Sequence, residues 1–320
     1  MGYQILRFRS NETVQWGVLK GTAVTPFAPN ATSLSDVLSN HLPKAAAIAK
    51  EGNPGNLPLE GLEILSPVTR PTRILCLGVN YADHRAEAKG DQHQQETLFF
   101  RKDESAITSP YADIPHPSKE PLFDYEVEMG MIIKRDILHP TEVDKNNIGD
   151  YVAGVVLAND LSARTTMVFA PFGQWYKGKS LRHLCPLGPY IHLFEEGEVE
   201  QLHDLEIKLW VNDELRQAAH TSQLITSPEE ALTEASAFVD LEVGDVLLTG
   251  TPGGVALKAP SKLVQNLGRL LLSPQKMGEI LVKKQLQSGL FLKPGDVVKC
   301  SLQSPSGKVN CGEQVNRIIV

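Results

Sequence analysis

FDYEVEMGMIIK, Phe123–Lys134, carries the densest chemical signal in the chain. Its run of Val, Met and Ile has strand character. Successive side chains of a strand point to opposite faces, so Glu126 and Glu128 share one face. Val127 and Met129 then point the other way, into packing. Two adjacent carboxylates repel unless something positive lies between them. A hard divalent cation meets that need, because Mg2+, Mn2+ and Ca2+ prefer oxygen ligands. The alternative is a solvated strand face that happens to bear two acids.

Outward from this stretch, the same β signal recurs. ILCLGV (74–79), AGVVLAND (153–160), LEIKLWVND (205–213), DVLLTGT (245–251) and DVVKCSL (296–302) are rich in Val, Ile and Leu and bounded by Gly, Pro, Asn and Asp. Helices are fewer. Ser227-Pro228-Glu229-Glu230 is a capping box with Pro at the first helical position. Ser273-Pro274 opens a second helix, with Gly289 as its stop. Strands and helices do not alternate regularly, which argues against doubly wound and (β/α)8 folds and for a mostly β, α+β architecture. Before residue 68, short strands (YQILRF, WGVLKG, TAVTPFAP) precede a helical stretch, and EGNPGNLPLEG reads as a turn or linker. The expected organisation is a small N-terminal α+β domain over 1–68 and a main domain over 69–320.

Composition narrows the function. The 320 residues include 31 Lys and Arg and 38 Asp and Glu, a net charge of −7, with 42% hydrophobic and 22% charged residues. That is the composition of a globular protein rather than a disordered one. No apolar run approaches the roughly 18 residues of a membrane helix. The mild acidity argues against a nucleic-acid partner, since phosphate neutralisation needs a basic surface. Cys76, Cys185, Cys300 and Cys311 are sparse and form no CxxC, so a reducing cytoplasm is expected.

Further segments carry side chains suited to chemistry. In AGVVLAND-LSAR an apolar strand runs into Asp160 and then Arg164, which suits either a ligand site or a helix cap. In GVNYADHRAEAKG, His84 and Glu87 lie three apart with helical character and share a face. A carboxylate beside an imidazole fixes its tautomer and raises its basicity, as general-base catalysis requires, although a surface pair has the same spacing. Gly173–Ser180 matches the P-loop pattern GxxxxGK[ST] literally. No buried strand precedes it and Trp175, Tyr176 and Lys177 fill the loop, so Lys179 reads better as a cation facing an anionic substrate. In LLTGTPGGV a strand ends in a Gly-rich loop holding Thr251, either a plain turn or a loop that brings hydroxyls and N–H groups to a carboxylate.

Taken in order, GVNYADHRAEA, LFFRKDESAI, DYEVEMGMII, ANDLSAR, GKS with CPLGPY, LWVNDELRQ with HTSQLI, DVLLTGTPGGV and LKPGDVVKCSL resemble the fumarylacetoacetate hydrolase family over roughly residues 70–315. The resemblance implies a mixed β-roll or barrel, assembled as a homodimer. It implies an acidic triad of Glu126, Glu128 and Asp160 holding Mg2+ or Mn2+, sometimes Ca2+. Lys179 would face the metal-bound substrate oxygens, and His84 with Glu87 would activate water. Lys102, in an F-x-K pattern, Arg164 and Thr251 would contact the substrate.

The implied activity is hydrolysis of a carbon–carbon bond in an acylpyruvate-like or other β-diketo acid, in aromatic or sugar-acid catabolism. Decarboxylation and isomerisation or hydration of 2-oxo acids use the same metal site and are the alternative. Three departures bear on specificity. Met167 stands where many members have glutamine. Leu181-Arg182-His183 follows GKS, so Arg182 is either a contact for a second anionic group or a surface charge. The stretch over 257–291 is longer than usual and reads as a lid, a dimer element or decoration.

Overall fold

The computed structural model describes residues 2–53, 55–87, 96–170, 172–259 and 273–320. Its backbone is a large mixed sheet and a smaller one packed on it. From one edge, the large sheet runs Leu57–Pro58, Ala23–Pro26, Thr13–Lys20, Tyr3–Ser10, Cys185–Leu193, Val152–Asn159, Val127–Ile133, Val246–Leu248, Ile74–Gly78 and Leu98–Lys102. Along this path Val246–Leu248 pairs parallel with Ile74–Gly78, and the other pairings are antiparallel. The second sheet runs Glu214–His220, Glu206–Val211, Val297–Gln303, Asn310–Ile319 and Ile114–Pro115.

The central strand, Val127–Ile133, is buried along its whole length. Its Val127, Met129, Met131 and Ile133 join Ile207, Leu209, Val298 and Leu302 of the second sheet in one apolar cluster. The opposite face holds Ile132, with Val156, Ala158 and Leu248 from its neighbours, in a cluster that reaches Ile5, Trp16 and Val18. A strand covered on both sides needs apolar residues at nearly every position. Glu128 is the exception on the second of these faces. The N-terminal strands extend the large sheet edge to edge, Tyr3–Ser10 pairing with Cys185–Leu193. Helical residues Leu34, Val37 and Ala45 pack into the same core.

The capping box at Ser227 forms, with reciprocal bonds to Glu230, and opens the helix Pro228–Ser236. Ser273 caps Pro274–Leu286, and Gly289 follows at φ 68°. Of the long 257–291 stretch, residues 260–272 lie outside the described residues. Among the described residues no helix is long and apolar enough to cross a membrane. All four cysteines are buried and free.

Candidate metal centre and active site

Glu128 projects from the central strand, and Glu126 lies just before it. Asp160 follows the antiparallel neighbour Val152–Asn159. The register sets Val127 opposite Asn159, which brings the three carboxylates to one end of the strand pair. Two bonds lock that end. The Asp160 N–H donates to the Glu126 carbonyl at 2.7 Å, and the Glu126 N–H donates to Asn159 Oδ1 at 3.1 Å. One oxygen from each of Glu126, Glu128 and Asp160 lies within 4.8 Å of the others, and all three residues are buried.

Cations crowd this cluster. Lys179 is the last residue of the short helix Trp175–Lys179. Its Nζ donates to Glu126 Oε2 at 2.5 Å and to Asp160 Oδ2 at 2.7 Å, and lies 4.9 Å from the Phe100 ring centroid. Lys102, wholly buried, donates to Asp160 Oδ1. Arg164 bridges Asp124 at 2.8 Å and Glu126. Asp160 therefore serves the charged cluster rather than a helix cap. The P-loop match is structural coincidence, because its lysine is committed to two carboxylates.

Burial by itself would raise the Glu126 carboxyl, but Arg164 and Lys179 outweigh it and hold it at about 2. Burial likewise presses Lys179 down, and Asp160 and Glu126 more than offset it. Glu128 is different. Burial pushes it well above the usual carboxylate range, and Asp160 and Glu126 push the same way. Its Oε2 accepts from the Gly250 N–H at 2.8 Å, while its Oε1 is buried with no hydrogen-bond partner among the described residues.

That orphaned acceptor, inside a triad of hard oxygen donors, fits a divalent cation. Asp124, Glu126 and Asp160 already balance the three positive charges of Lys102, Lys179 and Arg164, which leaves Glu128 as the carboxyl without a cationic partner of its own. A cation bound between Glu128 and its neighbours would satisfy Oε1 and bring its carboxyl back to the ionised form.

His84 and Glu87 lie on the helix Ala82–Glu87, which follows a turn of unusual geometry. Val79 sits at φ 51°, a costly conformation for a β-branched residue. Asn80 pins the turn, its Nδ2 donating to the carbonyls of Thr226 and Thr249 and its Oδ1 accepting from the Thr226 N–H. His84 Nδ1 faces Glu87 Oε2 at 3.7 Å. Glu87 takes further donors, the Gly254 N–H at 3.1 Å and Lys258 Nζ at 2.5 Å. Burial raises its carboxyl, but the nearby His84 imidazole and the bonds from Lys258 and Gly254 prevail and hold it at about 2. Glu87 is thus held as an anion facing the His84 imidazole.

A cavity of about 330 Å3 opens beside this pair. Its polar lining is His84, Glu87, Arg164 and Lys258, and its apolar walls include Met167, Phe169, Trp175 and Leu257. Thr251 is buried in the glycine-rich loop, where its hydroxyl accepts from Gln217 at 2.8 Å. Arg182 is exposed at a turn and does not line this cavity. Two organising residues escaped sequence reading. Asp124 accepts from Arg164 and from the N–H groups of Ala256 and Leu257, tying the far end of the glycine-rich loop to the metal cluster. Lys258 stands where no motif marks it.

The family model described as fumarylacetoacetate (FAA) hydrolase, C-terminal, matches residues 73–319. The chain belongs to the fumarylacetoacetate hydrolase family. A mitochondrial oxaloacetate tautomerase of Bos taurus is 35% identical over 249 residues, covering 77% of this chain and 68% of its own. A mitochondrial oxaloacetate tautomerase of Rattus norvegicus is 33% identical, covering 81% and 73%. Among solved structures, the fumarylacetoacetate hydrolase of Exiguobacterium antarcticum superposes with a TM-score of 0.72 at 25% identity, covering 99% of each chain. The Sphingobium maleylpyruvate hydrolase solved with manganese and pyruvate has a TM-score of 0.71 at 22% identity, again covering 99% of this chain and 98% of its own. The α+β, mostly β family fold is therefore the fold of this chain, and the chain is a member of a family of enzymes.

Proposed function

We propose that this protein is a divalent-cation-dependent enzyme that moves a proton between the keto and enol forms of a short 2-oxo acid, with oxaloacetate as the substrate tested first. The observation that carries this reading is the His84–Glu87 pair lining a largely apolar cavity whose lining Arg164 bonds the buried three-carboxylate cluster through Glu126. The oxaloacetate tautomerases among its relatives support it. A cation held by Glu126, Glu128 and Asp160 would supply Lewis-acid polarisation of a 2-oxo group. Glu87 faces His84 Nδ1 at 3.7 Å, close enough to favour the proton on that nitrogen and leave Nε2 to take the proton from the carbon beside the oxo group and return it to oxygen, or the reverse. Lys179 adds positive charge where the enolate oxygen develops. The walls formed by Met167, Phe169, Trp175 and Leu257 keep water from the enol and strengthen these charges.

The same pair favours one second reading, hydrolysis of an acylpyruvate-like acid, because an imidazole braced by a carboxylate also deprotonates water. Replacing His84 tests the first reading. His84→Ala is expected to retain Mn2+ binding while tautomerisation falls by about 10²- to 10⁴-fold. A wild-type rate in that variant would refute the proton-transfer role.

A further inference from the structure

We propose that Lys258 recognises a second carboxylate on the substrate, and so makes the site selective for dicarboxylic over monocarboxylic 2-oxo acids. This rests on the keto–enol reading above only for the class of acid; the selectivity itself is a binding property.

Arg164 and Lys258 are the lysine and arginine side chains among the cavity's described lining residues. Arg164 is buried and spent, its guanidinium bonded to Asp124 and Glu126. Lys102 and Lys179 are likewise committed to Asp160 and Glu126. Lys258 differs. Its side chain is 47% exposed, and its partner Glu87 holds a second donor, the Gly254 N–H. Withdrawing Lys258 therefore leaves Glu87 still bonded to the backbone and still facing His84. Lys258 can turn to an incoming anion at little cost.

Arg164 links the two ends of the site, for it lines the cavity and bonds Glu126 of the acidic cluster. A 2-oxo acid whose chelating end is taken by Glu126, Glu128 and Asp160 would extend into the cavity, where Lys258 lines the wall with Leu257 and Val255. A second carboxylate on a short acid then meets an ammonium amid apolar walls, where a charge-assisted hydrogen bond is strong. Asp124 steadies the segment that carries Lys258 by accepting from the N–H groups of Ala256 and Leu257.

The test is calorimetric binding of two unreactive 2-hydroxy acids, malate and lactate, to the Mg2+-loaded full-length protein. They share the chelating end and differ by one distal carboxylate. Wild type is expected to prefer malate by about 10- to 100-fold, the value of a hydrogen bond between charged groups. Lys258→Met is expected to bring that preference to within about threefold, and Lys258→Arg to restore most of it. Equal binding of malate and lactate by wild type, or an undiminished preference in Lys258→Met, would overturn the proposal. If wild type prefers malate yet fails to tautomerise oxaloacetate, the keto–enol reading falls and the role of Lys258 stands.

Discussion

In the proposed mechanism, Glu128 is the residue on which cation binding turns. It occupies a position on a strand face that elsewhere holds Ile132, Val156 and Leu248, so its burial is a cost that a purely structural protein would avoid. Its Oε1, without a partner among the described residues, and its upward-shifted carboxyl suit a cation ligand. Glu128→Gln keeps shape and removes the charge. It is expected to weaken Mn2+ binding by at least about 100-fold, since affinity follows ligand charge, and to abolish the rise in melting temperature that Mg2+ gives wild type. An unchanged Mg2+ response in this variant would remove Glu128 from the metal site. In the sequence, the alternation of Glu126 and Glu128 made the pair legible. Asp124, two residues earlier on the same alternation, was not, because its task is to hold Arg164 and the backbone of Ala256 and Leu257. Nothing local announces a role played by contacts 40 and 132 residues away in the chain.

At the level of elements, the glycine-rich loop is the joint between metal cluster and cavity. Gly250 donates to Glu128, and Gly254 donates to Glu87. Gly254 adopts φ 101°, and a Cβ there would lie 2.0 Å from the Arg216 carbonyl of the strand Glu214–His220. Both the backbone angle and the strand forbid a side chain. Gly254→Ala is expected to cost about 2–4 kcal/mol of stability and to loosen Glu87, lowering activity more than stability alone explains. Thermal melts and activity on the same preparation check this, and a neutral effect on both would contradict the account of the loop. Strands with apolar runs were legible, as was the Ser227 capping box. The C-terminal strand Asn310–Ile319 was not. Its inward positions include Gln314 and Asn316, both buried, while Val315 faces outward. Gln314 spends its amide on the carbonyls of Leu157, Pro186 and Gly188, so a polar residue faces inward where the apolar pattern should. Gln217 does the same beside the active site, bonding Val127, Thr251 and Pro252.

On the scale of the molecule, one core runs from the N-terminal strands to the strand that carries Glu128. Trp16, Val18 and Phe27 share an apolar cluster with Ile132, Val156 and Leu248. Among the described residues of the 51–61 linker signal, Leu57–Pro58 is a strand paired with Ala23–Pro26, so the stretch does not separate the packing. His192, on the strand joining the two parts, reports on this shared core. Burial drives its pKa down from 6.5 to about 4. Between those values the unfolded chain binds the proton and the folded chain does not, so stability rises with pH across the window. The contribution is complete above about 6.5 and is lost as pH falls toward 4, roughly 3 kcal/mol in all. His192→Leu is expected to flatten the difference in melting temperature between pH 6.5 and pH 4 relative to wild type. A parallel pH dependence in both proteins would show that His192 is protonated in the folded state.

The measurement that bears most directly on the central claim is a product analysis with oxaloacetate and acetylpyruvate, each with Mg2+ and with a chelator. The account predicts Mg2+-dependent interconversion of enol and keto oxaloacetate, without CO2 release, and no cleavage of acetylpyruvate. Pyruvate and acetate from acetylpyruvate, with oxaloacetate enol untouched, would contradict it and establish the His84–Glu87 pair as a water-activating base.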